Sequence, residues 1–341
     1  MVGVGVTNCY RGELDGDSLS STSADNRNNV HQEMLDLRNH KANLYWGDLL
    51  ACATVFWTLA LLGSQSGHWL LPALTLGTFA LYRMALFTHE ICHFRRGVLP
   101  GFEWAWNALC GVPLLLPSYM LKSHASHHVA ASFGTQGDPE YLPFASYPQL
   151  RRPFLWGSAL VPIALALRAL VLVPLACLLP KVRTQLRARF TFMAMNADYR
   201  PGPHLLLTKP DLLVEAAASV WAWGLLIASA LGLLTWRFGA LLLACMALAN
   251  LLNGWRTLRA HRYTSHGQAV NLTAQLRDST TFTGPWVWQE LLCPVGQRFH
   301  AAHHLLPYLP YHALPEAHRR LVNQEWPGRL DYLSTFTLPP G

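Results

Sequence analysis

Three short groups of histidines dominate the chemistry available to this 341-residue chain. They read His89-Glu90-Ile91-Cys92-His93, His124-Ala125-Ser126-His127-His128 and His300-Ala301-Ala302-His303-His304. Residues three or four apart share a face of a helix, so each group can present its imidazoles together. Neutral imidazole suits iron, copper and zinc alike. Eight such side chains exceed the three or four protein ligands of a zinc ion, and two ions sharing eight or nine ligands is the natural count. A second reading starts from the same residues: His89-Glu90-x-x-His93 spells HExxH, in which Glu90 would be the general base of a membrane zinc metalloprotease. It leaves the other six box histidines idle. A non-enzymatic metal carrier is a third reading, but it wants ligands at mid-membrane, and these groups lie outside the apolar runs.

The composition points to a bilayer. Hydrophobic residues make up 51% of the chain and charged residues only 13%, about half the share of a soluble domain. Thirteen tryptophans fit a protein with two water–lipid interfaces, where an amphipathic ring is at home. The net charge of +7 comes from short basic clusters between apolar runs, a pattern that suits anionic lipid head groups; nothing resembles a nucleic-acid-binding motif. Seven cysteines are scattered and never form CxxC, which argues against a disulfide framework.

The elements follow from the apolar runs. Residues 1–40 are polar, show no signal-peptide core and are expected to be a mobile tail. A domain over 41–330 follows, then a second tail over 331–341. Apolar runs at about 44–63 and 69–87, and again at about 212–235 and 238–256, each approach the roughly 20 residues that cross a bilayer. They predict two helical hairpins, the second with Trp236 and Arg237 at its tip. Two further stretches, 104–121 and 154–180, are interrupted by prolines, and the latter carries Arg168. An arginine in mid-bilayer costs at least ~2.5 kcal/mol, so 154–180 is expected to be an interfacial or re-entrant helix, and 104–121 is expected to be interfacial. Lys122, Lys181, Arg183, Arg187, Arg189, Arg200 and Lys209, with Arg95 and Arg96, place the segments between the hairpins in the cytoplasm by the positive-inside rule. The expected fold is therefore all-α, with four transmembrane helices, interfacial helices and a cytoplasmic cap that carries the histidine boxes. Both termini would be cytoplasmic, with the bacterial inner membrane as the expected location.

The order HxxxH, HxxHH, HxxHH across two hairpins resembles the membrane fatty acid desaturase family, which includes hydroxylases. "RTLRAHRY" around His261, "QLRDS" around Asp278 and "CPVGQRFHAAHHLLPYLPYHALPEAHRRL" over 293–321 look like a bacterial branch of it. The likeness covers roughly 40–330. It implies a di-iron centre ligated by His89, His93, His124, His127, His128, His300, His303 and His304, with His261 as the ninth ligand in preference to His266. Asp138, Glu140 and Asp278 are candidates to accept the imidazole N–H that faces away from a metal, and His312 is a further candidate for support. His31, His40, His68, His204 and His318 have no expected catalytic role. The resemblance further implies two iron ions, O2 and external electrons as co-substrates, and oxidation of an unactivated C–H bond in a fatty acid or acyl lipid. Desaturation is the first expectation, with hydroxylation and decarboxylation to a terminal alkene as alternatives. No haem segment or ferredoxin cysteine pattern is visible, so an external ferredoxin- or cytochrome-type donor with its reductase is expected.

Overall fold

The computed structural model describes residues 30–95, 97–202 and 205–336. The expectations for Arg96, His204 and most of the N-terminal tail therefore lie outside the described residues. Those described are helical, with two isolated bridges and no strand. Five helices are long and apolar enough to cross a membrane: α1 (Ala42–Gln65), α2 (Gly67–His93), and, after a short helix α3 (Arg151–Ser158), α4 (Val161–Leu178), then α6 (Lys209–Ala230) and α7 (Trp236–Ala260). Between α4 and α6 lies the basic helix α5 (Pro180–Arg189).

Helix α1 shows why these segments belong in lipid. Tyr45, Leu49, Cys52, Ala53, Phe56 and Ala60 form a buried stripe at helical spacing, yet Leu50, Val55 and Leu61 on the outer face are exposed and equally apolar. A helix that is hydrophobic all round is a membrane span or a deep core element. Its stripe packs with Leu81, Met84 and Phe87 of α2 and with Leu241, Cys245 and Ala249 of α7 in one large apolar cluster. The hairpin turns sit at Ser66 and at Leu231–Thr235, so Trp236 begins α7 and does not form the tip. Both turns lie at the end of the bundle opposite the histidines. The described cysteines are all free.

The stretch expected to lie at the interface over 104–121 instead dips into the bundle and returns. The Trp57 indole donates to the Leu109 carbonyl at 3.0 Å, and that of Trp221 to the Pro113 carbonyl at 3.2 Å. At 1.5 Å per residue, both tryptophans lie roughly 20 Å along their helices from the histidine end. Asn107 makes the return possible. Its side chain accepts from the Ser118 backbone N–H at 2.9 Å and donates to the Ser118 hydroxyl at 2.8 Å, which closes the loop just before the second box.

Arg168 resolves the cost that argued against 154–180. Its guanidinium grips Glu215 of α6 at 2.5 and 2.9 Å, and also donates to the Tyr119 hydroxyl and the Phe190 carbonyl. Ser158 sits against Gly254 of α7, and Arg168 against Glu215 of α6, each six residues from the histidine end of its helix. Helix α5 then folds back along α4 and brings Phe190 to Arg168.

Both tails are shorter than expected. Val30 and Met34 are buried against Leu306, Leu309 and Ala317, while Tyr332, beyond residue 330, is fully buried in the same cluster. These residues close a cap over the third box.

The Arg168–Glu215 pair gives a direct test. Breaking a buried pair from one side strands a charge, at a cost of about 3–5 kcal/mol, whereas replacing both partners with apolar residues is often neutral. Thermal unfolding in detergent should show Glu215→Ala strongly destabilised, and the Arg168→Met/Glu215→Met double variant close to the parent.

Candidate metal centre

Each box reaches the site from a different element. The first ends α2, the second ends a 3-10 segment, Ser118–His128, and the third forms the short helix His300–Leu305. His261 follows the last residue of α7 in extended conformation. Tyr119 and Lys122 anchor the second box, through Arg168 and through Asp211 at 2.7 Å respectively. Arg256, one turn before the end of α7, donates to Gln297 at 2.8 Å and so ties His261 to the third box.

The nine histidines converge into two groups. His89, His93, His124, His128 and His303 form one; His127, His261, His300 and His304 form the other. Within each, the potential ligand atoms all lie within 4.8 Å of one another. The spacing argument placed His124, His127 and His128 on one face, and here the structure differs. In the second box the i and i+4 rings go to the first group and the i+3 ring to the second. In the third box the assignment is reversed, so each of these boxes straddles both groups.

The donor chemistry fits cations. His127 presents Nδ1 to Asp138 at 2.9 Å, His261 presents Nδ1 to Asp278 at 3.1 Å, and His124 presents Nδ1 to Glu140. A carboxylate there fixes the proton on Nδ1 and leaves Nε2 as a lone pair. Yet the Nε2 atoms of His127 and His261 face each other at 3.1 Å, and those of His261 and His300 at 2.9 Å. His124 and His128 meet in the same way at 2.9 Å, and His128 and His303 at 3.2 Å. Neither ring nitrogen of His89 or His93 has a hydrogen-bond partner among the described residues. Facing buried nitrogens this close need a proton or a cation between them, and the converging rings, with the partnerless nitrogens of His89 and His93, fit one ion in each group.

Electrostatics agree. Burial, reinforced by neighbouring imidazoles, holds His128, His300, His303 and His304 well below the usual histidine pKa, in the neutral form that binds metal. His127 is the exception: burial opposes its charge, but Asp138 and Glu140 hold its pKa up at about 9. Burial would raise Asp278, but hydrogen bonds from His261 and Thr264 keep it below the usual carboxylate range.

The Glu90 carboxylate is held in a structural contact. It accepts from the Tyr45 hydroxyl at 2.5 Å and the Tyr311 backbone N–H at 2.9 Å, which binds the loop after the third box to α1 and α2. His312 lies away from both groups, where its Nε2 accepts from the Lys41 backbone N–H at 3.1 Å. His266 is exposed and paired with Ser146. His31, His40, His68 and His318 also stand apart from both groups. One contributor escaped the sequence reading: Gln275 donates to the His128 carbonyl at 3.3 Å and lies 3.4 Å from His304 Nδ1. Its signal was the three-residue spacing to Asp278 on one helix.

Comparison with known proteins places these features in context. The family model described as fatty acid desaturase matches residues 67–336. A ceramide hydroxylase of Caulobacter vibrioides is 38% identical over 291 residues, which covers 84% of this chain and 83% of that protein. No solved structure matches.

The carboxylates behind the imidazoles yield a prediction. Asp138→Asn should weaken metal binding by about 10–100-fold, measured by chelator competition, while His312→Ala should leave it unchanged.

Proposed function

Because the chain belongs to the fatty acid desaturase family, we propose that it is an O2-dependent di-iron membrane enzyme that hydroxylates the acyl part of a ceramide-class lipid. The observation that carries this reading is the 38% identity to a ceramide hydroxylase, sustained over most of both chains. It moves hydroxylation ahead of desaturation, the first expectation from the boxes alone. Desaturation stays as the second reading, on the strength of the family.

His89, His93, His124, His128 and His303 would hold one iron, and His127, His261, His300 and His304 the other. Irons bound there would supply O2 activation and the power to oxidise an unactivated C–H bond, with electrons from an external donor. The chain itself does the positioning. Asp138, Glu140 and Asp278 keep the Nδ1 protons of His127, His124 and His261 in place, which fixes ring orientation and tautomer. The buried cap around Leu306, Leu309 and Tyr332 excludes water from the third box.

Four complete crossings are part of the same reading, by α1, α2, α6 and α7. The chain leaves the site at His128 and is back at His261, so it crosses an even number of times in between. The α6–α7 hairpin accounts for two crossings, and the return of Phe190 to Arg168 supports α4 lying across the bundle. The histidine end is then cytoplasmic, beside the basic residues of α5.

Lipid mass spectrometry of cells that make ceramides tests the activity. Expression of the protein should add one oxygen atom to the acyl part of a ceramide-class lipid, and His300→Ala should abolish the product. Loss of two hydrogens would select desaturation, and a hydrocarbon one carbon shorter would select decarboxylation.

A further inference from the structure

The chain does not pass straight from the end of α7 to the third box. Phe282 packs its ring near that of Trp255 in α7, with centroids 6.3 Å apart, six residues before His261. Further on, the Tyr82 hydroxyl of α2 donates to the Leu292 carbonyl at 3.0 Å, and Arg83 pairs with Glu290 at 3.2 Å. Tyr82 and Arg83 stand seven and six residues before His89. At 1.5 Å per residue, these contacts fall about 9–10 Å below the histidines along each helix. Both ends of the stretch 282–292 therefore lie beside α2 and α7 at a level inside their apolar runs, and the chain then rises to His300.

The polarity of this stretch is the inverse of a water-facing loop. Thr283 to Trp288 is an exposed run without a charge, in which Trp286, Val287 and Trp288 are 64%, 55% and 62% exposed. The polar side chains of the helix Trp286–Leu292 are satisfied within the protein. Gln289 donates to the Gly284 carbonyl at 2.9 Å, and Glu290 meets both Arg83 and Arg298. Arg83 also grips Asp48 of α1 at 2.5 and 2.7 Å, so two cations and two carboxylates balance one another below the histidines.

A contiguous exposed apolar patch marks a contact surface. Here the patch stands beside two helices apolar enough to cross a membrane, so the surface it meets is lipid. Tryptophan favours the zone where its ring meets acyl chains and its N–H meets head-group oxygens.

We propose that Trp286–Leu292 is a second re-entrant segment, seated in the lipid leaflet on the histidine side, where Trp286 and Trp288 anchor the third box to the bilayer. The box begins eight residues after Leu292, and Gln297 between them is tied to α7 through Arg256. Lipid contact thus fixes the height of the segment that delivers His300, His303 and His304. The proposal goes beyond the oxidation reading and rests only on its assignment of α2 and α7 as crossings.

The test uses the full-length, metal-loaded protein in nanodiscs of phosphatidylcholine and phosphatidylglycerol, doped with a phospholipid that carries a diazirine near its acyl carbonyl. Peptide mass spectrometry after photolysis should find adducts on 286–288 and none on Leu330, which is 77% exposed in the cap. With the diazirine at the chain end, label should move to Val220 of α6, 71% exposed, and fall at 286–288. Trp286→Ser/Trp288→Ser, with parental metal content, should lose the adducts and exchange its backbone amides over 286–299 faster. Labelling of the wild-type protein decides the matter if that variant folds poorly. Label at 286–288 no greater than at Leu330 would overturn the proposal, and crosslinks joining 286–288 of two chains would assign the face to a second copy instead. Absence of label at Val220 as well would overturn the crossings, and the proposal with them.

Discussion

Buried imidazoles whose facing Nε2 atoms lie 2.9–3.2 Å apart need a proton or a cation between them, and the two convergent groups fit a cation in each. That constraint organises everything around it. The rings at 2.9–3.2 Å from one another are held there by groups whose only evident function is to prevent relaxation. Asp138, Glu140 and Asp278 grip the far side of three rings, and Gln275 steadies the second and third boxes together. The ring nitrogens are thus gathered in advance, and a bound metal would supply the positive charge that holds them together.

The elements carry this arrangement by redundancy of attachment. The second box is a 3-10 segment with little intrinsic stability, and it is fastened at three points: Asn107 on Ser118, Arg168 on Tyr119 and Asp211 on Lys122. The third box lies on a helix of six residues. Its support comes from Arg256 on Gln297, from the Glu90–Tyr311 contact beyond it, and from the cap that Met34 and Tyr332 close. Glu90 therefore shares a motif with zinc proteases and does a different job, because both its hydrogen bonds reach out to the surrounding structure.

Much of this was legible in the sequence, for identifiable reasons. Box spacing is local, so the eight histidines could be grouped from the chain alone; His261 and Asp278 followed from short stretches resembling the family, and Asp138 and Glu140 from their place just after the second box. The hairpins were legible because apolar length is also local. The division of each HxxHH box between two groups was not, since it depends on where the helix axis lies relative to its partners. The partner of Arg168 was not legible for the same reason: Glu215 is 47 residues away, and no pattern within 154–180 names it. The re-entrant course of 104–121 depends on Asn107 meeting Ser118 and on indoles from α1 and α6, which no pattern within the segment reveals. His312 stands in a suggestive motif, yet it caps the start of α1.

The measurement closest to the central claim is an anaerobic titration of the purified protein with iron(II), followed by direct metal analysis after removal of unbound ions. Two histidine groups with converging lone pairs predict saturation at two irons per chain. Saturation at one iron, or no binding that survives buffer exchange, would contradict the account.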